Sequence, residues 1–169
     1  MTISEQFKEY KNLMFDENQL NEIYKGLKHG VDVSIYAKKE FNWHQMHEIL
    51  EGLDKGIDVT IYANPEFDAD QMYIIRLGLS TNVNVNLYAK PEFNWYQMDQ
   101  IRIGLLRKLT ESQIKIYAKR DFDENQMHEI RKGLEDALDV SVYANPNNSD
   151  KQMENIRLYL LARKEAGIE

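Results

Sequence analysis

The chain repeats one segment five times. A phenylalanine opens each copy, at spacings of 26, 26, 26 and 29 residues: Phe15, Phe41, Phe67, Phe93 and Phe122. A period in this range is typical of repeat proteins, in which one small unit stacks on its neighbours to bury a continuous core. Such proteins usually work by presenting a long binding surface, so the repeat favours recognition over catalysis.

The first half of each copy is predicted to be an amphipathic helix. The consensus reads F-[DN]-x-x-Q-[ML]-x-x-I-x-x-G-L, and apolar residues recur three and seven positions after the Met, as in Met46, Ile49 and Leu53. This spacing places them on one face of a helix of about 13 residues. Each helix has a cap-type residue followed three positions later by Gln, as in a capping box. The predicted caps are Asp16, Asn42, Asp68, Asn94, Asp123 and Ser149.

The second half of each copy is ambiguous, because β-branched stretches such as residues 31–37 also match a strand. The copy that starts at Phe93 favours a helix: three extra residues create a second capping box, from Thr110 to Gln113. Three residues are almost one helical turn, whereas an odd insertion would exchange the two faces of a strand. A short helix is therefore predicted, capped elsewhere by Asp32, Asp58, Asn84 and Asp139.

The expected fold is all-α: an α-solenoid of about five 26-residue helix-turn-helix repeats, each with a long and a short helix, with a βα solenoid as the alternative. One domain is expected over residues 1–169. Its repeats span 15–40, 41–66, 67–92, 93–121 and 122–147. Residues 1–14 and 148–169 are predicted to be terminal caps, and Ser4 is the predicted N-cap of the first helix.

Two further columns of the repeat are expected to hold it together. Glycine recurs inside the long helices at Gly26, Gly52, Gly78, Gly104 and Gly133. Glycine there costs about 1 kcal/mol relative to alanine, so we interpret it as close approach of a neighbouring backbone between consecutive elements. In the last copy Tyr159 takes this position. The second half of each copy ends in a tyrosine. These tyrosines are interpreted as a spine between repeats whose hydroxyls are hydrogen-bonded: Tyr10, Tyr36, Tyr62, Tyr88, Tyr117 and Tyr143.

Composition argues against several classes of function. The chain has no cysteine, which excludes disulfides and thiolate metal sites, and its first residues lack the basic and apolar regions of a signal peptide. A cytoplasmic location is therefore expected. The net charge of −7 argues against direct nucleic-acid binding, and no apolar run reaches the roughly 18 residues of a membrane span.

No enzymatic motif is present. His44, His47 and Glu48 share one helix face, but the sequence implies no further ligand beside them. There is no glycine-rich phosphate loop, nucleophile elbow or paired-carboxylate motif. We therefore expect no catalytic residue, no metal and no cofactor.

An arginine column allows a ligand-binding hypothesis. The position after the helix Ile holds Arg76, Arg102, Arg131 and Arg157. A ladder of this kind suits a phosphate- or carboxylate-rich small ligand, such as a nucleotide. The favoured alternative is internal pairing, since Asp99 lies three residues before Arg102 and Glu154 three before Arg157.

Protein contact is the leading hypothesis, because the helix positions beside the arginine column vary between copies. They hold Trp43, His47, Tyr73, Trp95, Tyr96 and His128. Tryptophan and tyrosine are enriched at interface hot spots, although both tryptophans could simply cover their own helix starts. The central copies also carry apolar residues where earlier copies are charged, namely Ile74, Leu77, Ile103 and Leu106. A protein partner, a self-association seam or deeper burial would each explain them.

The string DVxxYAxPxFxxxQMxxIRxGL, nearly intact over residues 58–79 and 84–105, resembles repeats in uncharacterised proteins of phages and conjugative elements of gut bacteria. The resemblance covers almost the whole chain, although Arg120 replaces the Pro and Asn148 the Phe in later copies. It brings no active site. It implies an accessory protein that binds and inhibits a host defence protein such as a nuclease. Small-ligand binding and self-assembly are the two alternative functions.

Overall fold

The computed structural model describes residues 2–168, and over that range it is helical, with no strand. The all-α prediction is confirmed, and the βα alternative is excluded for this part of the chain. The backbone forms two compact units, residues 1–82 and 83–169. In each unit consecutive long helices pack against one another, as expected for a solenoid-like repeat.

Unit 1 contains four α-helices: α1 (Ile3–Lys11), α2 (Glu17–His29), α3 (Trp43–Asp54) and α4 (Ala69–Ser80). Two short 3-10 helices follow α2 and α3, at Val33–Ile35 and Val59–Ile61. Unit 2 begins with a 3-10 helix at Val85–Leu87. It continues with α5 (Trp95–Leu106), α6 (Glu111–Tyr117), α7 (Glu124–Glu135), a 3-10 helix at Val140–Val142, and α8 (Asp150–Glu165).

The predicted capping boxes are present on all six long helices, α2–α5, α7 and α8. At the start of α3, for example, the Asn42 side chain accepts from the Gln45 backbone N–H at 3.0 Å, and the Gln45 side chain accepts from the Asn42 N–H at 2.8 Å. The predicted cap of α1 is wrong: Thr2, not Ser4, forms the box, with Glu5 as its partner. Ser4 has Phe7 three positions on, which cannot accept a hydrogen bond.

The second halves of the repeats are helical but shorter than expected. Four of them are 3-10 helices of three residues, and only α6, which contains the three extra residues, completes seven residues of α-helix. The predicted caps are correct. Asp32 accepts from the backbone N–H of Ser34 at 3.0 Å, and Thr110 forms its capping box with Gln113.

The glycine column makes room for a tyrosine hydroxyl, not for a neighbouring backbone as expected. The Tyr36 hydroxyl donates to the Glu22 carbonyl of the same repeat at 3.0 Å. A β-carbon on Gly26 would lie 2.0 Å from that hydroxyl oxygen. The same lock recurs at Gly52 with Tyr62, Gly104 with Tyr117 and Gly133 with Tyr143. The tyrosine hydroxyls are satisfied, as expected, but by the long helix of their own repeat.

The capping glutamines also tie successive repeats together within each unit. The Gln45 side chain donates to the Phe67 carbonyl of the next repeat at 2.6 Å, and Gln19 donates to the Phe41 carbonyl at 2.7 Å. In unit 2 the matching bonds run from Gln97 to Phe122 and from Gln126 to Asn148. These bonds hold the N-termini of neighbouring long helices in register.

A left-handed residue ends the long helices of the five full repeats. Glycine takes this position in the first two repeats, with φ of 75° at Gly30 and 64° at Gly56. Later repeats place other residues in the same conformation: Asn82 at 55°, Lys108 at 69° and Ala137 at 51°. Left-handed φ is unfavourable for most residues with a β-carbon, although asparagine tolerates it, so the strain at this position falls on Lys108 and Ala137.

Candidate functional site

Each long helix has an outer face, defined by the α3 positions Trp43, His44, His47, Glu51 and Asp54 and their equivalents. At about 100° per residue these positions cover the side of the helix away from Gln45, Ile49 and Gly52. The inward columns are buried: Met46 and Ile49 are fully inaccessible. Most of the residues predicted to contact a protein lie on this outer face.

On unit 1 the outer face carries Tyr73, which is 43 % exposed. His47 lies on the same face of the preceding helix, and its Nδ1 is 3.1 Å from a carboxylate oxygen of Glu22. Lys25 lies 2.6 Å from the other oxygen of that carboxylate. The imidazole of His47 therefore links α3 to α2 through Glu22, although the His47 side chain is still 43 % exposed.

Both tryptophans lie at the first position of their helix and stack on the next residue. The ring centroids of Trp43 and His44 are 3.5 Å apart, and those of Trp95 and Tyr96 are 3.4 Å apart. Each tryptophan is half-buried, while Tyr96 is 50 % exposed. Each pair therefore offers a stacked aromatic surface at a helix start.

The apolar positions divide into two groups. Leu77 and Ile103 are half-buried on the outer face, and Leu106 is 41 % exposed there. The placement of Ile74 on the outer face is wrong, because Ile74 is only 4 % exposed. It occupies the column of Glu48, which lies about 60° of helical rotation from the column of Leu77 and only about 40° from that of the buried Gly78, and so turns inward.

The first arginine of the ladder is internally paired. In unit 1 the Arg76 guanidinium donates to one carboxylate oxygen of Glu48, in the preceding repeat, through Nε at 3.0 Å and Nη2 at 2.7 Å. It also lies over the Tyr73 ring, 5.3 Å from its centroid. Arg76 is only 7 % exposed, so packing as well as charge holds it in place.

Two arginines of unit 2 show one predicted pair and one different pair. Arg102 donates to Asp99 at 2.7 Å, as predicted. Arg157 instead donates from Nε to Glu129 of the preceding repeat at 2.7 Å, whereas Glu154 pairs with a lysine. The sequence contains a signal for this pairing: Glu129 lies two residues before Arg131, the arginine-column residue of the preceding copy. Glu48 has the same position relative to Leu50 in its own copy.

The remaining ladder arginine, Arg131, contacts three side chains. It donates to the Gln100 side chain of the preceding repeat at 3.0 Å, pairs with Glu135, and lies 3.1 Å from Nδ1 of His128. Burial, followed by the charge of Arg131, lowers the pKa of His128 below its usual value. The neutral imidazole can then accept a hydrogen bond from the guanidinium.

The arginine column therefore offers no preformed anion site, because a ligand would first have to displace Glu48, Asp99, Glu129 or Glu135. Within residues 2–168, no cluster of three or more histidine, aspartate or glutamate side chains is arranged to hold a metal ion. None of the helices in that range has the length and apolarity to cross a bilayer.

The outer faces expose aromatic side chains such as Tyr73, whereas the guanidinium groups of the arginine column are occupied by ion pairs within the protein, such as that of Arg76 with Glu48. Comparison with protein-family models, with curated proteins and with solved structures finds no match for this chain.

Proposed function

We propose that this chain is a non-enzymatic scaffold that binds another protein through the outer face of its long helices. The observation that carries the proposal is the division of the repeat into two sets of positions. Columns that are nearly identical between copies are buried: every methionine in the column of Met46, and every tyrosine in the column of Tyr62 from Tyr36 onward, is fully inaccessible. Positions that differ between copies, such as those of Tyr73 and Tyr96, remain at the surface.

This division is what a binding scaffold needs. The shared columns contribute stability through neighbour-to-neighbour packing, so the outer positions are free to differ without loss of the fold. Exposed aromatic side chains supply large contact areas at low cost in conformational entropy. Tyr73 and the stacked pair of Trp43 and His44 are therefore the proposed anchors.

Charge favours a basic partner for unit 1. Residues 1–82 contain 8 Lys or Arg and 14 Asp or Glu, a net charge of −6, whereas residues 83–169 contain 13 and 14, a net charge of −1. Proteins that act on nucleic acids present basic surfaces, which an acidic scaffold complements. Together with the resemblance to repeats of mobile elements, this supports inhibition of a cytoplasmic host defence protein, such as a nuclease, as the biological role.

The test is capture of a partner with matched variants. Tagged wild-type protein and a Trp43→Ala/Tyr73→Ala variant would be used to purify bound proteins from a bacterial host that carries defence nucleases. Val142→Ala is the control, because Val142 is 58 % exposed on a short helix away from the outer face. Circular dichroism would show that all three proteins have the same helicity.

We expect a stoichiometric protein to be retained by the wild type and by Val142→Ala and lost from the double variant. Purified partner should then bind with an affinity at least about thirtyfold lower for the double variant, since even one hot-spot aromatic contributes about 2 kcal/mol or more. Equal binding by all three proteins would remove the outer face of unit 1 as the contact surface.

A further inference from the structure

We propose that the outer face of α5 is a self-association surface, on which α5 of a second copy packs in the antiparallel direction. This assigns the α5 part of the outer face to the chain itself and leaves unit 1 to the external partner. The two proposals rest on different residues, so either can fail without the other.

The first observation is that the outer stripe of α5 is largely apolar and accessible. Tyr96 is 50 % exposed and Leu106 is 41 % exposed, with the half-buried Ile103 between them. These residues follow one side of the helix over about 15 Å. The next long helix in unit 2, α7, has Lys132 where α5 has Ile103, so the apolar stripe is particular to α5 within that pair.

The one carboxylate on this stripe is neutralised. Asp99 accepts two hydrogen bonds from the Arg102 guanidinium, at 2.8 and 2.7 Å, and its side chain is 25 % exposed. A paired carboxylate of this kind does not repel an approaching apolar surface as a free charge would. The centre of the stripe therefore carries no unpaired carboxylate.

The second observation is that opposite charges flank the two ends of the stripe. Glu92 is exposed just before the helix, and the carboxylate of Glu124 lies 3.5 Å from the side chain of the N-cap Asn94. At the other end, Arg107 is the C-cap and Lys108 follows it, both exposed. Among the described residues, Glu92, Arg107 and Lys108 take part in no ion pair.

An antiparallel pair satisfies both observations at once. Rotation about a two-fold axis near the middle of α5 places Tyr96 of one copy against Leu106 of the other. The same rotation brings the acidic end of each helix to the basic end of its mate, and it does so twice, because a two-fold interface repeats every contact. A parallel pair would instead juxtapose like charges at both ends, which is unfavourable.

The test uses two charge-reversal variants and sedimentation velocity from about 1 to 500 µM, because a contact through one helix is small and therefore weak. The first variant is Glu92→Lys/Glu124→Lys, and the second is Arg107→Glu/Lys108→Glu. Lys115→Glu, on the exposed side of α6, is a matched charge control. Ile103→Glu places a charge in the apolar stripe itself.

We expect the wild type and Lys115→Glu to dimerise with concentration, and each charge-reversal variant alone to dimerise at least about tenfold more weakly. An equimolar mixture of the two variants should recover the wild-type dissociation constant, because every end then meets its opposite charge. Ile103→Glu should abolish dimerisation. A wild type that stays monomeric at about 500 µM, or a mixture no tighter than its components, overturns the proposal.

Discussion

The hydroxyl of Tyr62 occupies the space that a β-carbon of residue 52 would need. A methyl group at that position would lie 1.9 Å from the hydroxyl oxygen, and the hydroxyl donates to the Glu48 carbonyl at 3.1 Å. The glycine and the tyrosine of each repeat therefore form one structural unit: the first removes a side chain so that the second can reach the helix backbone.

This coupling is measurable by a double-mutant cycle. Gly52→Ala alone should lower the free energy of unfolding by about 2 kcal/mol, because steric overlap outweighs the gain of about 1 kcal/mol in helix propensity. Tyr62→Phe alone should cost about 1 kcal/mol for the lost hydrogen bond. In the phenylalanine background, Gly52→Ala should cost at least about 1 kcal/mol less, as measured by urea unfolding. Additive costs would show that the two residues act separately.

The glutamine bridge between repeats predicts a position-dependent effect of a conservative change. Gln45→Glu keeps the oxygen that accepts at the capping box but loses the donor to the Phe67 carbonyl, and it faces that carbonyl with a carboxylate. We expect a loss of about 2 kcal/mol in unfolding free energy. In α8 the matched residue Gln152 is exposed, so Gln152→Glu should change stability by less than about 0.5 kcal/mol. Equal losses at both positions would contradict the bridge.

The left-handed residues predict a stabilising substitution. Ala137 has φ of 51°, in the position that glycine occupies in the first two repeats. Ala137→Gly should raise the unfolding free energy by about 0.5–1 kcal/mol, since relief of left-handed strain exceeds the added entropy of the unfolded chain. The reverse change, Gly56→Ala, should lower it by about 1 kcal/mol. Thermal unfolding of both variants would check these signs, and an unstable Ala137→Gly protein would contradict the strain.

The ion pair of Arg76 and Glu48 predicts a strong asymmetry between single and double changes. Arg76→Leu leaves the Glu48 carboxylate, whose side chain is 14 % exposed, without its cation, and should cost about 3 kcal/mol. Arg76→Leu/Glu48→Met should recover most of that loss, because an apolar pair replaces the ion pair; Leu50 already fills the same column one repeat earlier. Denaturant unfolding measures both, and a double variant as unstable as the single would contradict this account.

His128 predicts a pH dependence with a defined sign. Its pKa in the folded protein is lowered below the usual 6.5, so the unfolded chain binds the proton more tightly. The stability that neutral His128 contributes to the folded protein is therefore fully present above pH 6.5, and it is lost as the pH falls through the lowered pKa. As the pH falls from about 7.5 to about 5, the unfolding free energy of His128→Gln should therefore decrease less than that of the wild type. The gain should be small, because the side chain is 44 % exposed, and a relative loss on acidification would contradict it.

Local signals made most of the fold predictable. The caps of the long helices, the apolar stripe from Met46 to Leu53 and the left-handed Gly30 each depend on residues within one or two helical turns, so the sequence contains all their determinants. The wrong prediction of Ser4 as a cap also has a local reason. A capping box needs an acceptor side chain three residues later, and Thr2 has Glu5 there whereas Ser4 has Phe7.

Contacts between repeats were harder to predict. Arg157 could pair with Glu154 on its own helix, and only packing brought Glu129 of the preceding repeat closer. Ile74 was predicted to lie on the outer face because earlier copies have a glutamate at the equivalent position, yet Ile74 is buried. The pairing of Arg157 depends on the rotation of one helix against another, and no spacing within a single helix encodes that rotation.

The sequence by itself determined the repeat, the long helices with their starting residues, and the set of positions that vary between copies. Only the tertiary structure showed that Gly52 makes room for the Tyr62 hydroxyl and that the Gln45 amide nitrogen donates to the next repeat. It also showed that the arginines are paired internally while the outer faces remain accessible. The physical reason is one of distance. Capping and amphipathicity act over a few residues, whereas steric exclusion, bridging hydrogen bonds and buried ion pairs depend on groups 10 to 28 residues apart that packing alone brings together.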